Sequence, residues 1–474
     1  MSKFIPTIGI EVHVEIKSKS KLFSSSANTY GMATNTAVNV IDLGYPGTLP
    51  KLNREVVDMA LRAALALHCE ISKDMHFDRK NYFYPDLPKG YQITQSMTPI
   101  GHDGYLEIEV DGKKKQIGIE RIHIEEDTCK SIHSDHGTLL NFNRAGVPLV
   151  EIVSKPVIET PEEAVLYLEK LRETLLYLGI SDVKIEEGSM RCDANISLRE
   201  EHTDSFGTKC EIKNIGSIHN VGVSLHYEEK RQREILENGG EILHEETRRF
   251  DDKTGKTILM RTKETGNDYR YFPEPDLPMI HLSDEEIEKA KKSLPVMPDE
   301  LREKYRELGL NDNQMKTIIA NRMICEYYEK VRPNTDAVVL ANYLTGDILS
   351  YMNREKISVE ELKLSREELE TFVNRMAKKE FSSKQGKELL NELLENGGTV
   401  EEAVKKLGIA QISDSGAIEE IVKKIVENNP DSVKDYKEGK DRAIKFLMGQ
   451  VMKETKGQAN PKMAMDILQK ELSK

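Results

Sequence analysis

The strongest constraint on the fold is a strand pattern near the N-terminus, in which apolar and polar residues alternate. Between residues 8 and 16, Ile or Val occupies every even position, and the odd positions carry Gly9, Glu11, His13 and Glu15. Side chains of a β-strand point alternately to its two faces, so the alternation predicts a strand with one buried face. Two acids and an imidazole then share the other face.

Three more segments, at residues 190–199, 209–213 and 121–125, alternate in the same way. Their polar faces combine bases, acids, an amide and an imidazole: Arg191, Asp193, Asn195, Ser197 and Arg199; Lys209, Glu211 and Lys213; and Arg121, His123 and Glu125. Any single strand of this kind can be a solvated polar face. Four together favour convergence on one ion, because neighbouring strands lie ~4.8 Å apart and same-face residues ~6.6 Å apart.

The acids of these strands predict a bound cation. Glu126 and Asp127 extend the acidic run that begins at Glu125. Two carboxylates ~4 Å apart repel by about 4 kcal/mol at an effective dielectric constant of ~20, so a cluster of them requires positive charge. Oxygen ligands with one imidazole favour Mg²⁺ or Mn²⁺ over a structural zinc ion. Glu151, inside an apolar run, is either a further ligand or the buried partner of Arg144.

Basic residues near the acids indicate an anionic ligand. Arg79 and Lys80 precede the rigid loop YFYPDLPKGY, and Arg191 and Lys213 lie on the polar strands. Acids that hold Mg²⁺ and bases that hold phosphate oxygens are together what phosphoryl transfer requires. Familiar nucleotide motifs are missing, since the GKT at 255–257 lacks the first glycine of a P-loop and predicts a hairpin turn. Neither GxSxG nor HExxH occurs, so we do not expect amide hydrolysis by this chain alone.

The organisation of the chain changes near residue 290. Before it, short β-rich runs alternate with turns and a few helices, and after it periodic helices rich in Leu, Glu and Lys take over. A second change lies near residues 407–413. The sequence therefore predicts three parts, with boundaries at residues 1–292, 293–408 and 409–474.

Two helices of the first part have clear signals. The segment at 160–179 should begin after Thr160, with Glu163 completing a capping box, and should end at Gly179. The apolar segment VVDMALRAALALHC is interrupted by Asp58 and Arg62, and falls far short of the ~20 apolar residues of a membrane span. It predicts a core helix.

Composition favours a water-soluble protein of the cytoplasm. The 474 residues carry 68 Lys or Arg and 81 Asp or Glu, a net charge of −13. The N-terminus alternates acid and imidazole with apolar residues where a signal peptide needs an unbroken apolar run. Five cysteines, odd in number and never spaced as CxxC, predict buried thiols in a reducing compartment. We expect a cytoplasmic location, with no membrane and no DNA as partner.

The C-terminal tail has a net charge opposite in sign to that of the whole chain. From Asp431 onward, ten Lys or Arg stand against seven Asp or Glu. Such a small surplus of basic residues is typical of a solvated helix face, but basic residues on such a face can also contact the phosphate backbone of an RNA. A non-catalytic RNA-binding scaffold is therefore one alternative to an enzyme, although the acidic net charge counts against it. A metal-dependent phosphohydrolase or nuclease that uses the same acids is another.

Longer motifs identify a family resemblance that extends over nearly the whole chain. They are IGIEVHVEI, LGYPGTLPKLN, DRKNYFYPDLPKGYQITQ, IERIHIEEDTCK, NFNRAGVPLVEIVSKP, GSMRCDANISLR, KNIGSIHNV, DYRYFPEPDLP and GQVMKETKGQANP. Together they resemble the B subunits of the tRNA-dependent amidotransferases (GatB). The resemblance implies an α+β fold class: an antiparallel-sheet cradle domain, then an all-α helical domain, then a small helical YqeY-like tail domain that contacts tRNA.

The resemblance also implies an ATP-dependent activity. The cradle would phosphorylate the side-chain carboxylate of Glu on mischarged tRNA(Gln), or of Asp on mischarged tRNA(Asn), and ammonia would then displace the phosphate. A partner amidase subunit (A) would supply ammonia from glutamine, and a small C subunit would complete a heterotrimer. The implied cofactors are ATP and Mg²⁺.

The same resemblance assigns residues to the site. The catalytic, Mg²⁺-binding positions of the family correspond here to Glu11, His13, Glu125 and Glu126. Glu151, Asp193 and Glu211 correspond to acidic positions around the same metal site. The polar lining that would bind ATP phosphates corresponds to Lys80, Arg191, Asn195 and Lys213.

Two departures narrow the resemblance. Some members of the family carry a cysteine pair where this chain has Asn39 and Asp42, so no zinc ion is expected. The 474 residues leave no room for the large inserted domain of the archaeal relative, and no N-terminal extension suggests the mitochondrial form. The bacterial form is therefore expected.

Overall fold

The fold was analysed in a computed structural model, which describes residues 4–203, 205–263, 268–409, 415–437, 441–455, 459 and 461–473. The chain forms two compact units, residues 1–297 and 298–474. Within the described residues, no helix has the length and apolar character needed to cross a membrane.

The described residues of the first unit form sixteen β-strands and four α-helices. The strands are β1 (Phe4–Glu15), β2 (Glu70–Ile71), β3 (Asp74–Met75), β4 (Asp78–Asn81), β5 (Tyr91–Thr94), β6 (Gly101–Val110), β7 (Lys113–Glu126), β8 (Lys130–Ser134), β9 (Gly137–Asn141), β10 (Pro148–Ser154), β11 (Met190–Glu200), β12 (Cys210–Lys213), β13 (Glu245–Asp251), β14 (Lys256–Lys263), β15 (Phe272–Pro273) and β16 (Ile280–His281). The helices are α1 (Arg54–Ala66), α2 (Pro161–Leu178), α3 (Ile218–Glu237) and α4 (Asp284–Lys292).

A large sheet is the framework of this unit. Its nine strands lie in the order β14-β13-β12-β11-β1-β10-β7-β6-β2, and every neighbouring pair is antiparallel except β12 and β13. The apolar positions of the alternating strands are buried, and this face packs against α1, α2 and α3 in one core. The predicted α+β class, with an antiparallel sheet followed by helices, is confirmed.

The sequence signals of α2 are confirmed at both ends, with one difference. The Thr160 hydroxyl accepts a hydrogen bond from the Glu163 amide, and Gly179 adopts the left-handed conformation (φ 68°) that ends the helix. The Glu163 carboxylate, however, accepts from the amide of Glu159 and pairs with Lys115. The reciprocal half of the predicted capping box is therefore wrong, because the neighbouring strand supplies a cation for this carboxylate.

Other local predictions are also confirmed. The segment VVDMALRAALALHC forms α1 and buries its Val, Leu and Ala residues. The GKT sequence lies at the turn of the β13–β14 hairpin, where Gly255 has a φ of 65°. All five cysteines are buried free thiols.

The second unit is helical throughout its described residues. Its helices are α5 (Pro298–Glu307), α6 (Asp312–Ile319), α7 (Arg322–Val331), α8 (Ala337–Tyr343), α9 (Leu349–Glu355), α10 (Arg366–Ala377), α11 (Ser383–Asn396), α12 (Val400–Lys406), α13 (Ser415–Asn428), α14 (Pro430–Lys437), α15 (Asp441–Glu454) and α16 (Pro461–Leu472). The last four pack around their own apolar core, which includes Leu447 and Leu468. The predicted boundary near residues 407–413 falls partly outside the described residues, so the three-part division stays a prediction.

A buried ion pair holds the long segment between β1 and α1. Lys21 is fully buried, and its ammonium lies 3.2 Å from Asp42 Oδ2. The hydroxyls of Ser24 and Ser26 each donate to the same carboxylate at 2.6 Å. The Asp42 carboxylate therefore joins three side chains of the preceding turn.

We expect Lys21→Met to lower the free energy of unfolding by about 3–5 kcal/mol, because it leaves the buried Asp42 carboxylate without its cation. Urea unfolding followed by circular dichroism measures the loss. A matched control is Lys17→Met, which removes an exposed pair with Asp182 and should cost less than about 1 kcal/mol. Equal losses in the two variants would contradict a structural role for the Lys21–Asp42 pair.

Candidate active site on the polar face of the large sheet

The polar strands predicted from the sequence lie side by side. Strands β12, β11, β1, β10 and β7 are consecutive neighbours in the sheet. In one cross-strand row, His123 lies opposite Glu151, Glu151 opposite His13, and His13 opposite Arg191. Residues directly opposite each other point to the same face. The register thus brings together side chains that are far apart in the sequence.

Five of these side chains form a compact acid–imidazole cluster: Glu11, His13, His123, Glu125 and Glu151. His13 Nε2 lies 3.4 Å from both Glu125 Oε1 and Glu151 Oε2, and 3.9 Å from Glu11 Oε1. His123 Nε2 lies 3.3 Å from Glu151 Oε2 and 3.8 Å from Glu125 Oε2. Two triads therefore have donor atoms close enough for a metal ion, Glu11–His13–Glu151 and His123–Glu125–Glu151, and Glu151 belongs to both.

The electrostatics of the cluster follow from burial and proximity. Burial alone would lower the pKa of His13, but its hydrogen bond to Glu151 and the charge of Glu125 raise that pKa to about 9. His123 is raised to a pKa of about 9 in the same way, by Glu151 and Glu125 against burial. Burial would raise the pKa values of Glu125 and Glu151, and the two imidazoles lower them instead. The buried carboxylates of the cluster thus strongly favour positively charged groups next to them.

The donor atoms of the cluster fit a divalent cation. Each triad offers two carboxylates and one imidazole, a mixture that suits Mg²⁺ or Mn²⁺. Glu125 and Glu151 are only 3% and 7% exposed, so little solvent is available to screen their repulsion. His123 Nδ1 is buried without a hydrogen-bond partner, so the ring's contacts are made through Nε2, which faces the acids.

Two of the predicted metal ligands, Asp193 and Glu211, pair with a lysine. The ammonium of Lys213 contacts the Asp193 carboxylate and lies 3.0 Å from Glu211 Oε1, while Thr247 donates a hydrogen bond to Glu211. Burial opposes the charge of Lys213, yet Asp193 and Glu211 raise its pKa above the ordinary value. Both acids lie beside the cluster but outside the two triads.

The predicted ligand Glu126 also lies outside the triads. It follows Glu125 in the same strand, so its side chain points to the opposite face of the sheet. There its carboxylate pairs with Lys89 and accepts a hydrogen bond from the amide of Ile93 at 2.9 Å. The Glu126 carboxylate therefore lies apart from the cluster in this structure.

The cluster opens into a cavity of about 780 Å³. Four members of the cluster line it: Glu11, His13, His123 and Glu151. Four basic residues line it as well: Lys80, Arg121, Lys213 and Arg261. Within the described residues, Lys80 has no carboxylate within 4.0 Å, and its ammonium lies 5.0 Å from the ring centre of Tyr269. Burial opposes its charge, but Glu125 and other nearby groups raise its pKa. Lys80 therefore offers the cavity a positive charge.

The other two predicted phosphate-binding residues lie elsewhere. The Arg191 guanidinium pairs with Asp127, away from the lining of this cavity. Asn195 lines a neighbouring cavity on the same face of the sheet. Of the four predicted residues, Lys80 and Lys213 alone face the cavity that contains the cluster.

The alternative left open for Glu151 is also resolved. Arg144 lies 3.4 Å from Asp127 and donates to the carbonyls of Thr128 and Cys129. Glu151 instead faces His13 and His123. The buried pair of Glu151 with Arg144 is therefore wrong, and the carboxylate belongs to the cluster.

Sequence reasoning missed one member of the cluster and several residues of the cavity wall. His123 had a signal, because the alternation of its strand placed it on the face of Glu125. Arg261, Tyr269 and Tyr271 also line the cavity. They lie more than a hundred residues from β7 in the sequence, in β14 and in a segment without regular structure. The motif DYRYFPEPDLP contains both tyrosines, but no alternation of apolar and polar residues placed any of the three at the site.

The fold and the cluster define the class of protein. An open antiparallel sheet has one face covered by helices and presents acids, imidazoles and bases to a large cavity on the other, as expected of an enzyme's catalytic domain. Comparison with known families agrees. Residues 6–288 match the family described as the GatB/GatE catalytic domain, and residues 326–472 match the one described as the GatB domain.

Curated relatives resemble the chain over its full length. It is 51% identical over 474 residues to the B subunit of the aspartyl/glutamyl-tRNA(Asn/Gln) amidotransferase of Geobacillus thermodenitrificans, covering 99% of each chain. It is 50% identical to proteins of the same name from Bacillus cereus strain AH187, over 98% of each chain, and from Lysinibacillus sphaericus, over 99%. The chain belongs to the GatB family, whose members are subunits of an amidotransferase, a ligase.

We expect Mn²⁺ to raise the melting temperature of the wild-type protein, since a ligand that binds the folded state stabilises it. Glu125→Gln should reduce that increase by more than half, because it removes a charged donor from one triad. The adjacent variant Glu126→Gln is the control: it breaks the pair with Lys89 and lowers the melting temperature itself, but should keep the Mn²⁺-induced increase. If Glu126→Gln lost the Mn²⁺-induced increase and Glu125→Gln kept it, Glu126 rather than Glu125 would be the metal ligand. Differential scanning fluorimetry measures both shifts.

Proposed function

We propose that this chain activates the side-chain carboxylate of Glu on mischarged tRNA(Gln), of Asp on mischarged tRNA(Asn), or of both. Activation would be a phosphorylation by ATP, and ammonia would then displace the phosphate to give the amide. The observation that supports this most directly is the acid–imidazole cluster, which faces one cavity together with Lys80 and Lys213. A site of this kind can hold a cation and a polyphosphate side by side.

We propose that Glu11, His13, Glu125 and Glu151 bind Mg²⁺, with His123 as a fifth member. Bound there, Mg²⁺ and ATP would supply a charge-neutralised phosphoryl group. The protein's own contribution is positioning: His13 touches three acids, and Glu151 links both triads, so one rigid sheet fixes all five donors. Catalysis of phosphoryl transfer depends mainly on such positioning and on electrostatic stabilisation.

Lys80 and Lys213 would play different parts in phosphate binding. Lys80 has no acidic partner within 4.0 Å among the described residues and would neutralise phosphate oxygens directly. Lys213 is held between Asp193 and Glu211, so its ammonium is fixed in position at the edge of the cluster. Both acids would therefore act as positioning residues for Lys213.

Further expectations concern the partners and the location of the protein. We infer that ammonia comes from a separate amidase subunit, with a small third subunit in a heterotrimer. This follows from the family and from the absence of GxSxG and HExxH motifs in the sequence. The curated relatives are named as one subunit of an amidotransferase, which is consistent with such a complex. Cytoplasmic location is supported by the five buried free thiols.

The central experiment measures phosphate release from ATP by the assembled complex with Mg²⁺. It compares Glu-tRNA(Gln), Asp-tRNA(Asn), uncharged tRNA and no tRNA. Release that requires a charged tRNA supports the proposal and shows which substrate is used. Equal release in all four would favour a plain phosphohydrolase, and tRNA binding with no release would favour a scaffold.

We expect His13→Ala to reduce the tRNA-dependent release about 100-fold or more, because it removes the group that contacts three acids of the cluster. The matched control is His226→Ala, since His226 is an exposed histidine of α3 that pairs with Glu162, away from the polar face. It should retain near wild-type release. Full activity of the folded His13→Ala protein would remove His13 from the chemistry.

We propose that the helical tail contacts the tRNA backbone through its basic residues. Arg442, Lys445 and Lys453 are exposed on α15. Reversal of all three to Glu should weaken tRNA binding at least about tenfold and reduce its salt dependence, because phosphate contacts release counterions. Reversal of Lys289, Lys291 and Lys292, exposed on α4, is the control. A filter-binding titration in which both triple variants behave alike would exclude the tail as a tRNA contact.

A further inference from the structure

A small three-stranded sheet, β15-β4-β5, contributes to one wall of the active-site cavity. Four residues of this sheet and of the chain next to its strands line the cavity: Lys80, Thr94, Tyr269 and Tyr271. The rings of the two tyrosines meet edge to face, with centres 6.0 Å apart. The Lys80 ammonium lies 5.0 Å from the centre of the Tyr269 ring, a distance at which a cation and an aromatic face attract each other. The Tyr269 ring thus supports the charge of Lys80 at the cavity.

The residue that holds this wall together is Arg79, the neighbour of Lys80 on β4. Its guanidinium donates two hydrogen bonds to the Glu274 carboxylate, from Nε to Oε2 at 2.6 Å and from Nη2 to Oε1 at 2.9 Å. The Glu274 side chain is 0% exposed, and Nη2 of Arg79 also lies 3.3 Å from Asp276 Oδ2. A bidentate pair fixes the orientation of both partners as well as their distance, which a lysine ammonium cannot do.

Aromatic rings pack against the Arg79 guanidinium. Its central carbon lies 4.1 Å from the centre of the Tyr91 ring and 5.7 Å from that of the Phe272 ring. Tyr91 belongs to β5, and Phe272 of β15 pairs with Arg79 directly across the strands. The guanidinium therefore contacts all three strands of the small sheet, counting its own.

A second anchor holds the tyrosine segment at its start. The backbone amide of Asn81 donates to the carbonyl of Tyr269 at 3.0 Å, and its side-chain amide donates to the carbonyl of Arg270 at 2.8 Å. Asn81 follows Arg79 by two residues, so both side chains leave β4 on the same side. Together they attach residues 269–276 to β4 at both ends.

The alternation along β4 gives adjacent bases different tasks. The sequence grouped Arg79 with Lys80 as candidates for an anionic ligand. Neighbouring residues of a strand point to opposite faces, and of these two bases only Lys80 is among the described residues that line the cavity. Arg79 points to the other side, where Glu274 and Asp276 occupy its donors.

We propose that Arg79 is a positioning residue for the reaction. By holding Glu274 it fixes residues 269–276 against β4, and the Tyr269 ring then keeps the Lys80 ammonium in place at the cavity. The inference rests on the proposed function, in which Lys80 neutralises phosphate oxygens. Arg79 touches no reacting group, so its effect on the rate passes through Tyr269.

A double-mutant cycle on the assembled complex tests this route. Arg79→Lys keeps a cation beside the buried Glu274 carboxylate and loses the bidentate geometry. At saturating ATP and charged tRNA, it should lower phosphate release about tenfold, because small displacements of a charged group at a reaction site are costly. In a Tyr269→Ala background the same change should cost less than twofold, since residues that act through one another are not additive. Glu274→Gln, which changes the acceptor and leaves Arg79 intact, should repeat both results.

The matched control is Arg231→Lys. Arg231 of α3 is 20% exposed and pairs with Glu228, whose side chain is 0% exposed, and the Arg79 side chain is 19% exposed. Both Arg-to-Lys changes therefore weaken a comparable buried pair and should lower the melting temperature. The control should keep phosphate release within twofold in both backgrounds. All rates are measured at a temperature at which circular dichroism shows every variant folded.

A fluorescent reporter tests the same clamp without tRNA. The chain contains no tryptophan, so Tyr269→Trp introduces a single one into the cavity wall. Arg79→Lys should shift its emission to longer wavelength and increase its quenching by acrylamide, because the released segment exposes the ring to water. Arg231→Lys should leave both properties unchanged.

The outcomes separate positioning from a general loss of structure. Equal losses of phosphate release on Arg79→Lys in the two backgrounds, or wild-type release in both, would overturn the proposal, as would unchanged tryptophan emission. Failure of the proposed function looks different: the wild-type complex would then show no phosphate release that depends on charged tRNA. The emission result, which needs no substrate, would still decide whether Arg79 holds the segment.

Discussion

Repulsion among buried carboxylates is the interaction on which the rest of the site depends. Glu125 and Glu151 are almost completely buried on one sheet face, and acids this close require compensating positive charge. The protein provides part of it through two imidazoles within the cluster and through Lys213 beside it. The carboxylates are therefore partly neutralised by the protein's own side chains, on a sheet that the hydrophobic core holds in place.

Strand register decides which side chains meet on the polar face of the sheet. A slip of one residue in any central strand would turn its acids toward the apolar core and its Val and Ile residues toward the cavity. The hydrophobic core under α1, α2 and α3 thus fixes the site as firmly as it fixes the fold.

Family resemblance and local pattern differ at two residues of β7. The alternation in β7 places His123 and Glu125 on one face and Glu126 on the other, and the structure agrees. The resemblance favoured both adjacent acids and gave no role to His123. Arg191 shows the limit of the pattern, because it shares the correct face and yet its guanidinium turns to Asp127. Strand alternation predicts the face of a side chain, but the direction of a long side chain depends on its partners.

The sequence by itself determined four strands of the large sheet (β1, β7, β11 and β12) with their buried and polar faces. It also determined the ends of α2 and the change to helices near residue 290, because these features depend on local periodicity and capping. Tertiary structure alone decided which strands are neighbours, since hydrogen bonds between strands carry no local signature. It also decided that Glu151 faces His13 and His123 rather than Arg144, and that Lys213 pairs with Asp193 and Glu211. These outcomes depend on distances between residues far apart in the chain, which packing of the core sets.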